Sequence, residues 1–272
     1  MKVIIFDAAK CNGCHSCQVA CKDEHCGNDW MPYAKPQPET GQFWYKLNEY
    51  IRGSIPKLKA AYVPTMCMHC DDAPCIPSCP NTAIYKRDDG FVVIDPAKCT
   101  GTQNCIDACP YGGVISFNQD LKISQKCTGC AHLLDNPNAM ISEPRCVDAC
   151  PTGALTFAEE SDVQDIVTNA EVLLPTSGEN FKPRVYYLNL PKRFIAGTVY
   201  DSVNEEVVIG ATCTLTGDAS VTATTDEFGD FWFEGLEVGT YSLKIEGDGF
   251  PAKEISAIST DDDVNLGDIA LA

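Results

Sequence analysis

The sequence has no long apolar run and no cluster of basic residues. No stretch approaches the roughly 20 consecutive apolar residues that a membrane-spanning helix needs, and the N-terminal MKVIIFDAAKC contains only four in a row. We therefore expect no secretory signal, no direct membrane insertion and a cytoplasmic location. Lys and Arg number 20 against 38 Asp and Glu, a formal net charge of -18. This balance argues against nucleic acid as a partner, because phosphate binding needs a basic face.

The C-terminal part of the chain almost lacks cysteine. The chain has 272 residues and 17 cysteines, and after Pro151 only Cys213 remains. Secreted scaffolds held by disulfides are short and follow a signal peptide, so the uneven distribution instead indicates a metal-binding part followed by a different domain. The length and the apolar content of 44% suggest two domains or a little more.

The cysteines before Pro151 fall into four bursts of similar spacing. The first burst is Cys11, Cys14, Cys17 and Cys21; the second is Cys67, Cys70, Cys75 and Cys79; the third is Cys99, Thr102, Cys105 and Cys109; the fourth is Cys127, Cys130, Cys146 and Cys150. The third burst has the C-x2-C-x2-C-x3-C spacing of the first, with Thr102 in place of one cysteine. The segments AKCNG, AKCTG and QKCTG open three bursts and CPNTAI, CPYGGVI and CPTGAL close three, which indicates duplicated supersecondary units.

Two kinds of metal site use closely spaced cysteines. Paired C-x2-C units suit tetrahedral zinc. The C-x2-C-x2-C-x3-C run, with Pro after several bursts, is instead the bacterial ferredoxin signature, in which three close cysteines hold one iron-sulfur cluster and the fourth reaches a companion cluster. Gly13, Gly101 and Gly129 permit the sharp loop and present N-H groups to sulfur. The spacing therefore predicts clusters that occur in pairs.

Other polar side chains near the bursts have less specific interpretations. Three lysines directly precede a burst: Lys10, Lys98 and Lys126. A buried cation there would raise a cluster's potential, whereas a solvated surface lysine is the default. The four histidines replace no missing cysteine, so a Rieske-type site is not indicated. No nucleophile elbow, phosphate loop or dinucleotide fingerprint occurs, and we expect no catalytic residue in this chain.

The order of the four bursts and the stretched second and fourth motifs resemble the electron-transfer subunits of the dimethyl sulfoxide reductase family of molybdopterin enzymes, over residues 1 to about 157. The resemblance implies an α+β, ferredoxin-like fold of two pseudo-symmetric bicluster units. It pairs the first burst with the fourth and the second with the third. The implied ligand sets are Cys11, Cys14, Cys17 with Cys150; Cys127, Cys130, Cys146 with Cys21; and Cys67, Cys70, Cys75 with Cys109.

The remaining site is degenerate. It comprises Cys79, Cys99 and Cys105 around Thr102, and threonine is a poor iron ligand beside thiolates. A 3Fe-4S cluster needs only three thiolates, and an empty site with three buried thiols is the alternative. The resemblance implies three 4Fe-4S clusters, so we expect the fourth site to be empty.

The sequence divides into four segments. Residues 1–158 carry the bursts, with an aromatic-rich insertion at 27–63 that either packs over the clusters or faces a partner. Residues 159–191 form an acidic connector. Residues 192–272 alternate short strands with turns and predict a seven-stranded β-sandwich, whose GTVYD, GATCTLTG and TTDEFGDFWFEGLEVGTYSLKIEGDGF segments resemble carboxypeptidase regulatory-like, transthyretin-like modules.

The resemblance also implies a function. The chain would relay electrons for a large catalytic subunit that holds molybdenum-bis(molybdopterin guanine dinucleotide). Formate dehydrogenase types often carry a C-terminal transmembrane segment where this chain has a β-domain. In this respect the chain resembles the soluble members of the family, which move a hydroxyl group between polyhydroxybenzenes, from pyrogallol to phloroglucinol. Two alternatives stay open: a subunit of a respiratory molybdoenzyme of the dimethyl sulfoxide, polysulfide or formate type, and a free polyferredoxin with a binding β-module.

Overall fold

The computed structural model describes residues 1–217 and 220–272. Two compact units result: the first comprises Met1–Glu49 with Tyr62–Leu190, and the second comprises Tyr50–Ala61 with Pro191–Ala272. Within the described ranges no helix has the length and apolar character needed to cross a bilayer.

The first unit consists of short elements joined by the cysteine loops. In chain order these are β1 (Lys2–Asp7), α1 (Ser16–His25), β2 (Tyr45–Ser54), β3 (Lys57–Met66), α2 (Cys75–Ser78), β4 (Ile84–Lys86), β5 (Val92–Ile94), α3 (Asn104–Asp107), β6 (Ile115–Asn118), β7 (Ile123–Lys126), α4 (Ala131–Leu134), α5 (Arg145–Asp148), β8 (Leu155–Glu159), α6 (Gln164–Asn169) and β9 (Val185–Leu188). Strands β2 and β3 form a hairpin whose tip belongs to the second unit.

The apolar run at the N-terminus forms the centre of a three-stranded sheet. Strand β1 pairs antiparallel with β8 and parallel with β9. Ile4 and Phe6 pack into the main core, while Val3 and Ile5 face a small second cluster, as the period-two geometry of a strand requires. The segment 159–191, expected to be a connector, thus contributes a strand to the first unit.

The repeat seen in the sequence is a repeat of structure. The second and third bursts are each followed by an antiparallel hairpin, β4–β5 and β6–β7. Cys75, Cys105 and Cys146 each lie in a single-turn helix, and α1 carries Cys17 and Cys21. Helix α1 lies against α5, and α2 lies against α3. The first burst therefore meets the fourth, and the second meets the third.

A buried arginine ties the loop after the second burst to the segment before β9. Arg184, 2% exposed, donates two hydrogen bonds to the Asp71 carboxylate, at 2.6 and 2.7 Å, and one to Glu160 at 3.1 Å. Because the guanidinium is planar, it can satisfy a carboxylate with two parallel bonds. This network fixes loop geometry close to the second burst.

The second unit is a β-sandwich. Its strands are β10 (Arg193–Asp201), β11 (Glu206–Val207), β12 (Thr212–Thr216), β13 (Ser220–Thr224), β14 (Asp230–Leu236), β15 (Thr240–Glu246), β16 (Lys253–Ser259) and β17 (Val264–Leu271). One sheet has the order β11-β10-β14 with β17 also beside β10, and the other has the order β13-β12-β15-β16. The described part thus contains eight strands and not seven, because β11 is too short to produce a period-two pattern. Cys213 is fully buried between the sheets.

The tip of the β2–β3 hairpin packs on the sandwich within the second unit. The Arg52 guanidinium binds Asp263 through Nε at 2.9 Å and Nη2 at 2.7 Å, and lies 5.8 Å from the Phe194 ring. Lys57 and Lys59 form ion pairs with carboxylates of β14. Part of the aromatic-rich insertion is therefore covered by the chain itself. Farther from the tip, Trp44 and Tyr45 are buried in the first unit, as expected for a segment that packs over the cysteine loops.

Candidate metal centres

All 17 cysteines are free of disulfide bonds, and 15 of the 16 in the first unit gather into four groups. Cys26 remains outside them. Within the described residues, no His, Cys, Asp or Glu side chains converge in threes to hold a single metal ion.

The first group contains Cys11, Cys14, Cys17 and Cys150, so it joins three cysteines of the first burst to the last cysteine of the fourth. The Cys17 thiol interacts electrostatically with those of Cys11 and Cys150, and Cys11 also interacts with Cys14. Burial raises the pKa of Cys17 to about 11. Cys14 is exposed. The N-H of Gly13 donates to the Cys11 sulfur, which favours the thiolate.

The second group contains Cys21, Cys127, Cys130 and Cys146, and all four are buried. Cys146 interacts with each of the other three. Burial raises the pKa of Cys127 to about 11 and that of Cys130 to about 12. The Gly129 N-H donates to the Cys127 sulfur at 3.4 Å. Cys17 and Cys21 stand one helical turn apart on α1, so this helix supplies one thiol to each of two adjacent groups.

The third group contains Cys67, Cys70, Cys75 and Cys109. They line a cavity with an empty volume of about 330 Å³. Burial raises the pKa of Cys70 and of Cys75 to about 12, with the neighbouring thiols adding to the effect. The group again takes its fourth cysteine from the companion burst, here the third.

The fourth group has three thiols where each of the other groups has four. Cys79, Cys99, Thr102 and Cys105 line a cavity with an empty volume of about 290 Å³. The N-H groups of Ala83 and Ser124 donate to the sulfurs of Cys79 and Cys99 at 3.3 and 3.4 Å. The loop backbone is also retained, since the glycines at 13, 101 and 129 have φ of +72°, +74° and +65°. The loss is thus confined to one side chain.

The three lysines that precede bursts differ in environment. Lys10 and Lys98 are exposed and form ion pairs with Asp7 and Asp95. Lys126 is 2% exposed, and its Nζ donates to the carbonyls of Val92 and Cys127. Its charge opposes the rise in the pKa of nearby thiols, including Cys75. The sequence offered a cation beside the cluster only as an alternative to a surface lysine, because the burial of Lys126 depends on the packing of β7 against β5, which belong to different hairpins.

Three groups of four thiols and one group of three, arranged in two pairs within one unit, define this chain as an iron-sulfur protein. The 4Fe-4S dicluster domain family matches residues 58–160, and the carboxypeptidase regulatory-like domain family matches residues 195–272. Both modules predicted from the sequence are confirmed.

The chain is also similar to three known proteins. The chain is 36% identical to the pyrogallol hydroxytransferase small subunit of Pelobacter acidigallici, over 98% of both chains. It is 31% identical to a tetrathionate reductase subunit of Salmonella typhimurium, over 71% of this chain and 74% of that one. It is 40% identical to the arsenate respiratory reductase iron-sulfur subunit of a Shewanella species, over 42% and 44%. The chain belongs to the family of iron-sulfur electron-transfer subunits of molybdopterin enzymes related to dimethyl sulfoxide reductase, as its bursts predicted.

Proposed function

We propose that this chain carries electrons to or from a large molybdenum-containing catalytic subunit through three 4Fe-4S clusters. The observation that carries the proposal is the exchange of fourth cysteines. Each complete group combines three thiols of one burst with one thiol of another burst, and this exchange is the arrangement that a bicluster unit uses. Residues 1–158 then form two pseudo-symmetric bicluster units, one around α1 and α5 and the other around α2 and α3.

The proposed ligands follow the groups. One cluster takes Cys11, Cys14, Cys17 and Cys150; the next takes Cys21, Cys127, Cys130 and Cys146; the third takes Cys67, Cys70, Cys75 and Cys109. Each bound cluster supplies reversible one-electron storage. The chain's own residues hold the thiolates, shield them from water and donate N-H hydrogen bonds to sulfur, which stabilises the charge of a loaded site.

The fourth group does not hold a 4Fe-4S cluster in this proposal. Three thiols remain around Thr102, and we expect the site to be empty. A path of electrons that runs through the first three groups then ends at the third one.

The partner is proposed to be a hydroxytransferase that moves a hydroxyl group between polyhydroxybenzenes, from pyrogallol to phloroglucinol. Its molybdenum would be held by two molybdopterin guanine dinucleotides, and this chain would contribute no catalytic residue. The match to the hydroxytransferase subunit spans the sandwich as well as the cysteine-rich part, whereas the match to the tetrathionate reductase subunit covers 71% of this chain. Full-length agreement favours the hydroxytransferase over a respiratory role.

The insertion at 27–63 is proposed to face this partner. Ile51 and Ile55 at the hairpin tip are 63% and 82% exposed, although neighbouring side chains of the tip are engaged by the sandwich. Free thiols throughout the chain are typical of a reducing compartment, in accord with a cytoplasmic complex.

Purification of the native complex tests the proposal. We expect a large chain to copurify, with molybdenum and about 12 irons per complex, a figure that follows from three clusters of four irons. The complex should convert pyrogallol to phloroglucinol and should not oxidise quinols. Isolation of a stable, cluster-loaded chain without any partner would contradict the subunit role, and quinol-dependent reduction of a sulfur oxyanion would favour the respiratory alternative.

A further inference from the structure

Three of the four thiol groups have a buried side-chain donor close to them that is not itself a cysteine. His25 lies 3.9 Å from the Cys130 sulfur, and Tyr111 and Ser124 line the cavities of the third and fourth groups. They come from different parts of the chain, so the repeat of the bursts does not account for them. A buried donor is almost always paired in a folded protein.

His25 lies beside the second group. Its ring, 2% exposed, lies 4.6 Å from the Trp44 ring and 5.3 Å from the His132 ring, measured between centroids. Nε2 is 3.9 Å from the Cys130 sulfur, while Nδ1 has no partner among the described residues. A neutral imidazole has one N-H, and a proton on Nε2 is the tautomer that finds an acceptor.

Tyr111 and Ser124 repeat the arrangement at the other pair of groups. Both hydroxyls are buried and lack a completed hydrogen bond within the described ranges. Tyr111 lines the cavity of the third group together with Cys70, and Ser124 lines the cavity of the fourth group together with Cys105. The degenerate group has therefore retained its donor even though it lacks its fourth thiol.

We propose that His25 and Tyr111 each donate a hydrogen bond to one cluster thiolate and thereby raise the reduction potential of that cluster. The inference rests on the proposed function, since it requires loaded clusters. A donor withdraws negative charge from sulfur, and this effect stabilises the reduced cluster, which carries one more electron, more than the oxidised one. These residues position and tune the clusters, and they take no part in catalysis.

Tyr111→Phe in the full complex tests the proposal with the least change of shape, and His25→Leu extends the test to the second group. The potentials are read by redox titration monitored with low-temperature electron paramagnetic resonance. At the midpoint potential of the parent cluster, loss of one hydrogen bond should lower the ratio of reduced to oxidised cluster about threefold. This change corresponds to a midpoint potential about 28 mV lower, at 59 mV per tenfold. The other two clusters should stay unchanged.

Tyr187→Phe is the matched control. Tyr187 is also fully buried in the first unit, but its hydroxyl donates to the carbonyl of Pro64 at 3.1 Å. We expect this variant to lose some stability and to keep all three potentials. Variants with full spin count and unchanged potentials would overturn the inference and leave the proposed function intact, whereas a parent without cluster signals would overturn the proposed function itself.

A second measurement covers variants that fail to assemble. Resonance Raman spectra of the parent complex in H2O and in D2O report hydrogen bonds to the cluster thiolates through the Fe-S(Cys) stretching bands. A deuterium shift that Tyr111→Phe or His25→Leu reduces supports the proposal. Parent spectra identical in both solvents would overturn it without any variant.

Discussion

Thr102→Cys should convert the degenerate group into a working cluster site. Thr102 occupies the position in the third burst that Cys14 occupies in the first, and both side chains are exposed at the edge of their group. The other three thiols, two N-H donors to sulfur and the left-handed glycine at position 101 are in place. The substitution supplies only what is absent.

The expected magnitude follows from the composition of a cubane. A fourth cubane should raise the iron content from about 12 to about 16 per complex, because each cubane holds four irons. The substitution is at an exposed position, so the free energy of unfolding without iron should change by less than about 0.5 kcal/mol.

The assay is iron analysis combined with electron paramagnetic resonance spin counting, on the parent, Thr102→Cys and the matched control Thr102→Ser. The control keeps a hydroxyl and should keep the parent's iron. A cysteine variant with no additional iron would show that more than one ligand has been lost from the site. A 3Fe-4S signal in the oxidised parent would refute the expectation that the site is empty.

Three further predictions concern the backbone and buried ion pairs. Gly129→Ala should remove about four irons, which is the content of one cubane. The added Cβ would lie 2.1 Å from the Phe91 ring, and the φ of +65° at this position is strained for alanine. Iron analysis measures this loss. Arg184→Met should lower the free energy of unfolding by about 1.5–3 kcal/mol, because it removes charged hydrogen bonds to the partly exposed Asp71 and Glu160, of which Asp71 keeps its ion pair with Lys86. Chemical denaturation measures this change. In a double-mutant cycle, Arg52→Met and Asp263→Asn should show a coupling energy of about 1.5–3 kcal/mol, typical of a charged hydrogen-bonded pair.

Each of these predictions has a control in the same chain. Gly153→Ala has the same left-handed backbone, with φ of +64°, but its Cβ would meet no atom within 4 Å; it should cost about 1–2 kcal/mol and keep its iron. Lys182→Met breaks an exposed pair with Asp72 and should cost less than about 1 kcal/mol. The exposed pair of Lys244 and Glu246 should likewise couple by less than about 1 kcal/mol. Equal effects in test and control variants would contradict the role of burial.

The sequence was sufficient to predict the chemistry, the two modules and the family. Spacing alone identified the thiol loops because ferredoxin ligands are local in sequence. Spacing could not pair the first burst with the fourth, since that pairing depends on the packing of α1 against α5, two helices far apart along the chain. The burst assignments followed from the family resemblance, and the structure brings the same cysteines together.

Features that depend on contacts between distant segments were not predictable. Lys126 is buried because β7 lies beside β5, and His25 reaches the Cys130 sulfur across 105 positions. The ion pair between Arg52 and Asp263 spans 211 positions. None of these residues has a local pattern that distinguishes it from an ordinary surface or core residue.

The hairpin tip also affects whether the sandwich could be lost or acquired as a separate unit. Residues 50–61 belong structurally to the sandwich, although Tyr62–Leu190 of the cysteine-rich unit separate them from the rest of it along the chain. A deletion that starts at Pro191 would remove Asp263, Asp230 and Glu234, and three cationic side chains of the hairpin would lose their partners together. The sandwich is therefore not an exchangeable cassette: acquiring or losing it requires a matching change in the middle of the electron-transfer module.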